Sequence, residues 1–166
     1  TILHLSVLIV INIFFNLYIM RQLILLLLLI PLFNFAQNNN SMKFNHQALL
    51  VNDLNQSGYF YNNILGFEEI EVGAGQNPPK RWFKSDDGME IHLISTKEKL
   101  KLIPKGVHMA FSVKNFDLFI NNLKGNNIPY GNWRGDENQI QLRNDGYKQV
   151  FFQDPQGYWI EVNNVK

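Results

Sequence analysis

The chain has 166 residues, for which one folded domain is the default. Its formal net charge is +1, with 15 Lys and Arg against 14 Asp and Glu and no basic run, so no nucleic-acid partner is expected. Cysteine is absent, which excludes disulfides, thiolate zinc sites, a cysteine nucleophile and a lipid-modified cysteine.

The N-terminal 36 residues differ from the rest. From Thr1 to Phe35 the chain is almost wholly apolar, and Arg21 is its only formal charge. Met20-Arg21, the run LILLLLLIPLF and then NFAQ follow the order of a secretory signal. That order is a positive start, an apolar stretch of about 7–15 residues and a small residue, here Ala36, at the cut. A signal starting at Met20 is expected, with residues 1–19 an upstream extension and the product periplasmic or extracellular. The competing reading is a membrane anchor over residues 1–36, since the run approaches the roughly 20 residues that span a bilayer. Contact with a membrane is expected only if this leader stays uncleaved. Residues 37–41 (QNNNS) read as a polar linker, and the folded domain is placed at 42–166.

That domain repeats itself. HQALLVNDL from His46 and HMAFSVKNF from His108 share the pattern His-x-Ala-x-x-Val-x-(Asp/Asn)-apolar. The first six residues of each are short, apolar and rich in β-formers, as in a strand. Asp53 and Asn115 stand where helix N-caps belong, and Gln56 three residues after Asp53 completes a variant of the capping box. Helices are expected next. SGYFYNNILGF sets Tyr59, Phe60, Asn63 and Ile64 at helical spacing, and FDLFINNLKG sets Phe116, Phe119, Ile120 and Leu123 on one face, with Gly66 and Gly125 as stops. FEEIEV and KRWFKS then read as strands in the first half, and IPYGNW and KQVFFQD in the second. QDPQG is a turn. GMEIHLIS and GYWIEVNN close the two halves, each with a ligand-type side chain, His92 or Glu161, at the same offset from glycine. The fold class is therefore α+β, two βαβββ modules at 42–97 and 106–166. Each is too small to bury a good core alone.

Alternation along a strand decides what shares a face. His46 shares one with Ala48 and Leu50, His108 with Ala110 and Ser112, His92 with Glu90 and Ile94, and Glu161 with Trp159 and Asn163. If approximate two-fold symmetry relates the modules, His46, His92, His108 and Glu161 converge on one cleft. A lone His on a strand is more often a hydrogen-bonded core residue. Here, however, all three His outside the leader fall at equivalent positions of the repeat. Three imidazoles and a carboxylate suit a borderline transition ion: Zn, Ni, Fe or Mn. His92 is the weakest member, because Glu90 on the same face could serve instead.

NHQALLVNDL, FYNNILGF and FFQDPQGYWIEVNN resemble the vicinal oxygen chelate superfamily, which includes glyoxalase I, fosfomycin-resistance proteins, extradiol dioxygenases and bleomycin-resistance proteins. The resemblance covers Met42 to Lys166 and is closest to glyoxalase I in the DPxGYWIE stretch. It implies paired βαβββ modules around a metal cleft, either within one chain or across a homodimer. His46, His92, His108 and Glu161 match the ligand positions; glyoxalase I often has a carboxylate where this chain has His92. The activity implied is a lactoylglutathione lyase-like isomerisation of a small-molecule substrate, in which the metal stabilises an enediolate and Glu161 moves the proton. Two departures concern the thiol. Leu50 stands where the glutathione-dependent enzymes have Arg, and Lys105 lies one position closer to the second-module His than the usual basic residue. An exported protein would also meet little reduced glutathione. The alternatives are a metal-free binding protein that sequesters a drug or metabolite, an Fe(II) oxygenase using His46, His108 and Glu161, and a thiol transferase acting on fosfomycin.

Lesser candidates remain. Lys80-Arg81 could meet an anionic substrate but read as solvated charges. Trp82 and Trp159 either line the cleft or belong to the core, and Arg134 in GNWRGDENQ is a candidate substrate contact.

Overall fold

The structure is a computed structural model, and it describes residues 11–25, 42–101 and 103–166. It divides into two units between Lys43 and Phe44. In the first, residues 11–25 form helix α1, whose apolar side chains are exposed. Among the described residues no helix is long and apolar enough to cross a membrane. The expected signal continues beyond α1 to its cut at Ala36, and that part lies outside the described residues.

The second unit, Phe44–Lys166, runs β1 (His46–Val51), α2 (Leu54–Tyr59), β2 (Glu68–Ile70), β3 (Lys80–Lys84) and β4 (Glu90–Ser95), then β5 (His108–Ser112), α3 (Phe116–Gly125), β6 (Tyr130–Gly131), β7 (Gln141–Leu142), β8 (Lys148–Gln153) and β9 (Trp159–Asn163). It has two sheets. One has the order β1-β4-β3-β2, the other β5-β9-β8-β6 with β7 also on β8. The mixed α+β architecture of two βαβββ modules is as expected. The additional β7 makes a hairpin with β8, pairing Gln141 with Gln149 and Leu142 with Lys148.

The duplication is visible in strand register. The parallel pair β1–β4 sets His46 opposite Glu90 and Ala48 opposite His92. The parallel pair β5–β9 sets His108 opposite Trp159 and Ala110 opposite Glu161. His92 and Glu161 thus hold the same place in their modules.

The helices start where the caps dictate. Asp53 accepts from the backbone N–H groups of Asn55 (2.8 Å) and Gln56 (2.9 Å), and Asn115 accepts from that of Leu118 (3.1 Å). Phe116, Ile120 and Leu123 are buried along α3 at helical spacing, with Phe119 packed against the core. The first helix departs from expectation. Its continuation, Phe60–Ile64, is a π-turn in which Leu65 N donates to Phe60 O, five residues back. The wider turn brings Phe60, Tyr61 and Ile64 inward, while Tyr59 and Asn63 face out.

Leu49, Val51, Phe83, Ile91 and Leu93 of the first sheet join Val150, Phe152, Ile160 and Val162 of the second and the helical side chains in one cluster. Burying each such side chain contributes about 1.5–3 kcal/mol. Polar links reinforce the joint. Tyr61 Oη donates to Asp154 Oδ2 at 2.9 Å, Asn122 Nδ2 to Ile64 O at 2.8 Å and Tyr158 Oη to Leu50 O at 3.1 Å. Asn52 and Gln156 bond reciprocally at 2.7 and 3.1 Å. QDPQG, expected as a plain turn, is therefore also a clasp between modules. With alternate strand residues facing this common core, the remaining ones lie on the opposite face of each sheet. Those faces carry the candidate ligands, and are called the ligand faces below.

Candidate metal-binding site

On the first ligand face β4 presents His92 and Glu90, β1 presents His46 and β3 presents Trp82, which pairs directly with His92. The three rings stack. Trp82 lies on His92 with centroids 4.1 Å apart, and His92 on His46 at 4.2 Å. His92 Nε2 donates to Glu90 Oε2 at 2.9 Å, and His46 Nδ1 to Asn45 Oδ1 at 2.7 Å. The bond from His92 holds the Glu90 carboxyl below its ordinary range. Glu90, noted as a substitute ligand, is hydrogen-bonded to His92. Trp82 stands on the ligand side, and its Nε1 is buried without a hydrogen-bond partner.

On the second face His108 and Glu161 meet. His108 Nδ1 donates to Lys105 O at 2.8 Å, since a carbonyl can only accept. In the neutral ring that bond fixes the tautomer and leaves the lone pair on Nε2. Nε2 lies 3.3 Å from Glu161 Oε2. With Nε2 unprotonated the two acceptors need a proton or a metal ion between them, and an imidazole nitrogen beside a carboxylate is a donor set that fits either. Glu161 is buried, its side chain only 10% exposed. Its Oε1 accepts from Asn163 Nδ2 at 2.9 Å and lies 3.5 Å from Arg143 Nη1. Lys105 Nζ sits 4.5 Å over the ring of Trp159 and donates to the carbonyls of Asn132 and Trp133. Trp133 is edge-on to both His108 and Phe151. The 132–143 segment thereby lies along this half-site.

The structure gathers the four sequence candidates as two pairs, His46 with His92 and His108 with Glu161. Among the described residues no group of three or more His, Asp or Glu is close enough to hold one metal ion. Arg134 is exposed, whereas Arg143, which sequence reasoning passed over, reaches Glu161. The signal for Arg143 was the NDG turn just after it, which folds β7 back on β8. Arg81 is not a free solvated charge: it pairs bidentately with Glu69 at 2.7 and 2.6 Å and donates to Leu54 O.

A family profile described as the Glyoxalase/Bleomycin resistance protein/Dioxygenase superfamily matches residues 43–162. The chain is 30% identical to Glyoxylase I 4 of Arabidopsis thaliana over 126 residues, 72% of this chain and 69% of that protein. It is similar to a solved glyoxalase/dioxygenase from Nostoc punctiforme, with 26% identity and a TM-score of 0.60, covering 78% of this chain and 94% of that one. The fosfomycin resistance protein FosX from Listeria monocytogenes shares the fold at 19% identity and a TM-score of 0.60, over 76% of this chain and 95% of its own.

Proposed function

Since the chain belongs to the Glyoxalase/Bleomycin resistance protein/Dioxygenase superfamily, we propose that it is a metal-dependent lyase or isomerase of the glyoxalase I type. Its substrate would be a small oxygenated compound such as the thiol adduct of a 2-oxoaldehyde. The observation carrying this reading is the His108–Glu161 pair, with Nε2 directed at a carboxylate oxygen by the Nδ1 bond to Lys105 O.

His46, His92, His108 and Glu161 are the proposed ligands. A divalent Zn, Ni, Fe or Mn ion suits that donor set and would supply Lewis acidity toward two adjacent substrate oxygens. Glu161 is the only carboxylate among the four and the proposed proton carrier. It takes a proton from the hydroxyl-bearing carbon beside a carbonyl and returns it to the former carbonyl carbon, while the hydroxyl proton passes to the former carbonyl oxygen, so the substrate is isomerised with no net proton change. Asn163 Nδ2 fixes the orientation of the Glu161 carboxylate. His92 must give up its bond to Glu90 if Nε2 is to bind the ion.

A second copy of the chain is the proposed means of completing the site. Both ligand faces lie opposite the shared core, so the first pair of one copy can oppose the second pair of another. The test is metal content and methylglyoxal isomerisation with several thiols. Wild-type protein should hold about one ion per chain, and His46→Ala and Glu161→Gln should each lose it. Mixing and refolding these two variants together should restore metal to part of the population, because one of the two interfaces in a mixed dimer is intact. Absence of stoichiometric metal, or metal unaffected by both substitutions, refutes the site. Metal without turnover on any thiol adduct refutes the isomerase.

A further inference from the structure

We propose that Arg143 determines substrate specificity by receiving a carboxylate that the substrate carries beyond its reacting oxygens. The inference rests on the reading of His108 and Glu161 as part of the reaction centre.

Arg143 is rigidly based. Its N–H donates to Tyr147 O at 2.8 Å, and its carbonyl accepts from Gly146 N at 3.0 Å across the tight turn. Its Nε and Nη2 are held by Asp145 at 3.1 and 2.8 Å. A guanidinium has five N–H donors, so three remain, and two of them, one on Nη1 and one on Nη2, form a free edge. That edge is not spent on Glu161. Nη1 is 3.5 Å from Oε1, an ion-pair separation longer than a hydrogen bond, and Oε1 already accepts from Asn163. The Arg143 side chain is one-third exposed, against 10% for Glu161. A planar, two-donor edge matches a carboxylate.

The charge balance points the same way. On this half-site Lys105 and Arg143 are offset by Glu161 and Asp145, and on the other Lys84 lies 3.7 Å from Glu90. The side chains therefore sum to about zero, and a divalent ion makes the loaded cleft strongly positive. An anionic substrate restores the balance.

The test is equilibrium titration of the metal-loaded protein with two probes, lactate and malate. Both are 2-hydroxy acids, but only malate carries a second carboxylate. Wild-type protein should bind malate at least about tenfold more tightly than lactate, as a charge-assisted pair provides. The ratio should fall close to one in Arg143→Gln, recover in part in Arg143→Lys and stay unchanged in Lys148→Gln, an equal loss of charge on β8. Equal affinities in wild-type protein, no measurable malate binding, or a preference that survives Arg143→Gln overturns the proposal. The readout needs no turnover. A protein that shows the ratio without isomerising any adduct would refute the isomerase while leaving this role of Arg143 standing.

Discussion

Tyr61 and Asp154 show what single residues contribute. Tyr61 is fully buried, and its hydroxyl is the side-chain donor to Asp154, which is itself buried. Tyr61→Phe keeps the ring and removes the donor, so it should cost about 1–3 kcal/mol, read as a lower denaturant midpoint at unchanged m-value. Burial raises the Tyr61 hydroxyl well above the ordinary phenol range, with the charge of Asp154 adding to it. A raised folded pKa contributes stability that is complete below the unfolded value and is lost as pH rises through the phenol range, about pH 10. The fall in stability above that pH should be shallower in Tyr61→Phe than in wild-type protein. Neither residue was legible as a pair. DPQG read as a turn from its own letters, and the partner 93 positions away leaves no trace in a local pattern. His46, His92, His108 and Glu161 stand out as candidates in the sequence because the repeat supplies a second copy of each position against which to check the first.

The elements were predicted best where one period governs them. α3 has a clean helical spacing and its expected buried face. After α2 the π-turn shifts the face by one residue, and a 3.6-residue period cannot report that shift. β7 is only two residues long, too short for alternation to register. Gly58 in α2 illustrates a close approach, since a Cβ there would fall on the Arg81 guanidinium. Gly58→Ala alone should therefore destabilise, by displacing Arg81 from Leu54 O and Glu69. In an Arg81→Ala background the same change should instead stabilise by about 0.5–1 kcal/mol, the usual gain of Ala over Gly in a helix. A double-mutant cycle by denaturant unfolding checks the reversal of sign, and additive effects would remove Arg81 as the reason for the glycine.

For the whole molecule, the duplication and the two-module α+β architecture followed from the repeat, and the superposable registers of β1–β4 and β5–β9 are its structural form. The meeting of all four candidate ligands did not follow. Alternation fixes which face of a strand a side chain occupies, but not which other sheet that face meets. Here the two sheets share a core on one side, and the pairs stay apart on the other. The placement of the indoles has its own consequence. The chain has three tryptophans: Trp82 stacks on His92, Trp133 stands edge-on to His108, and Trp159 lies beneath Lys105. Every strong ultraviolet emitter in the protein thus touches or neighbours a proposed reacting group. Loading with a redox-inert ion such as zinc should change the emission intensity of wild-type protein, and Trp82→Phe should remove a large part of that change. An unaltered spectrum on loading would mean that the ion binds elsewhere, so the molecule carries its own label-free optical gauge of occupancy.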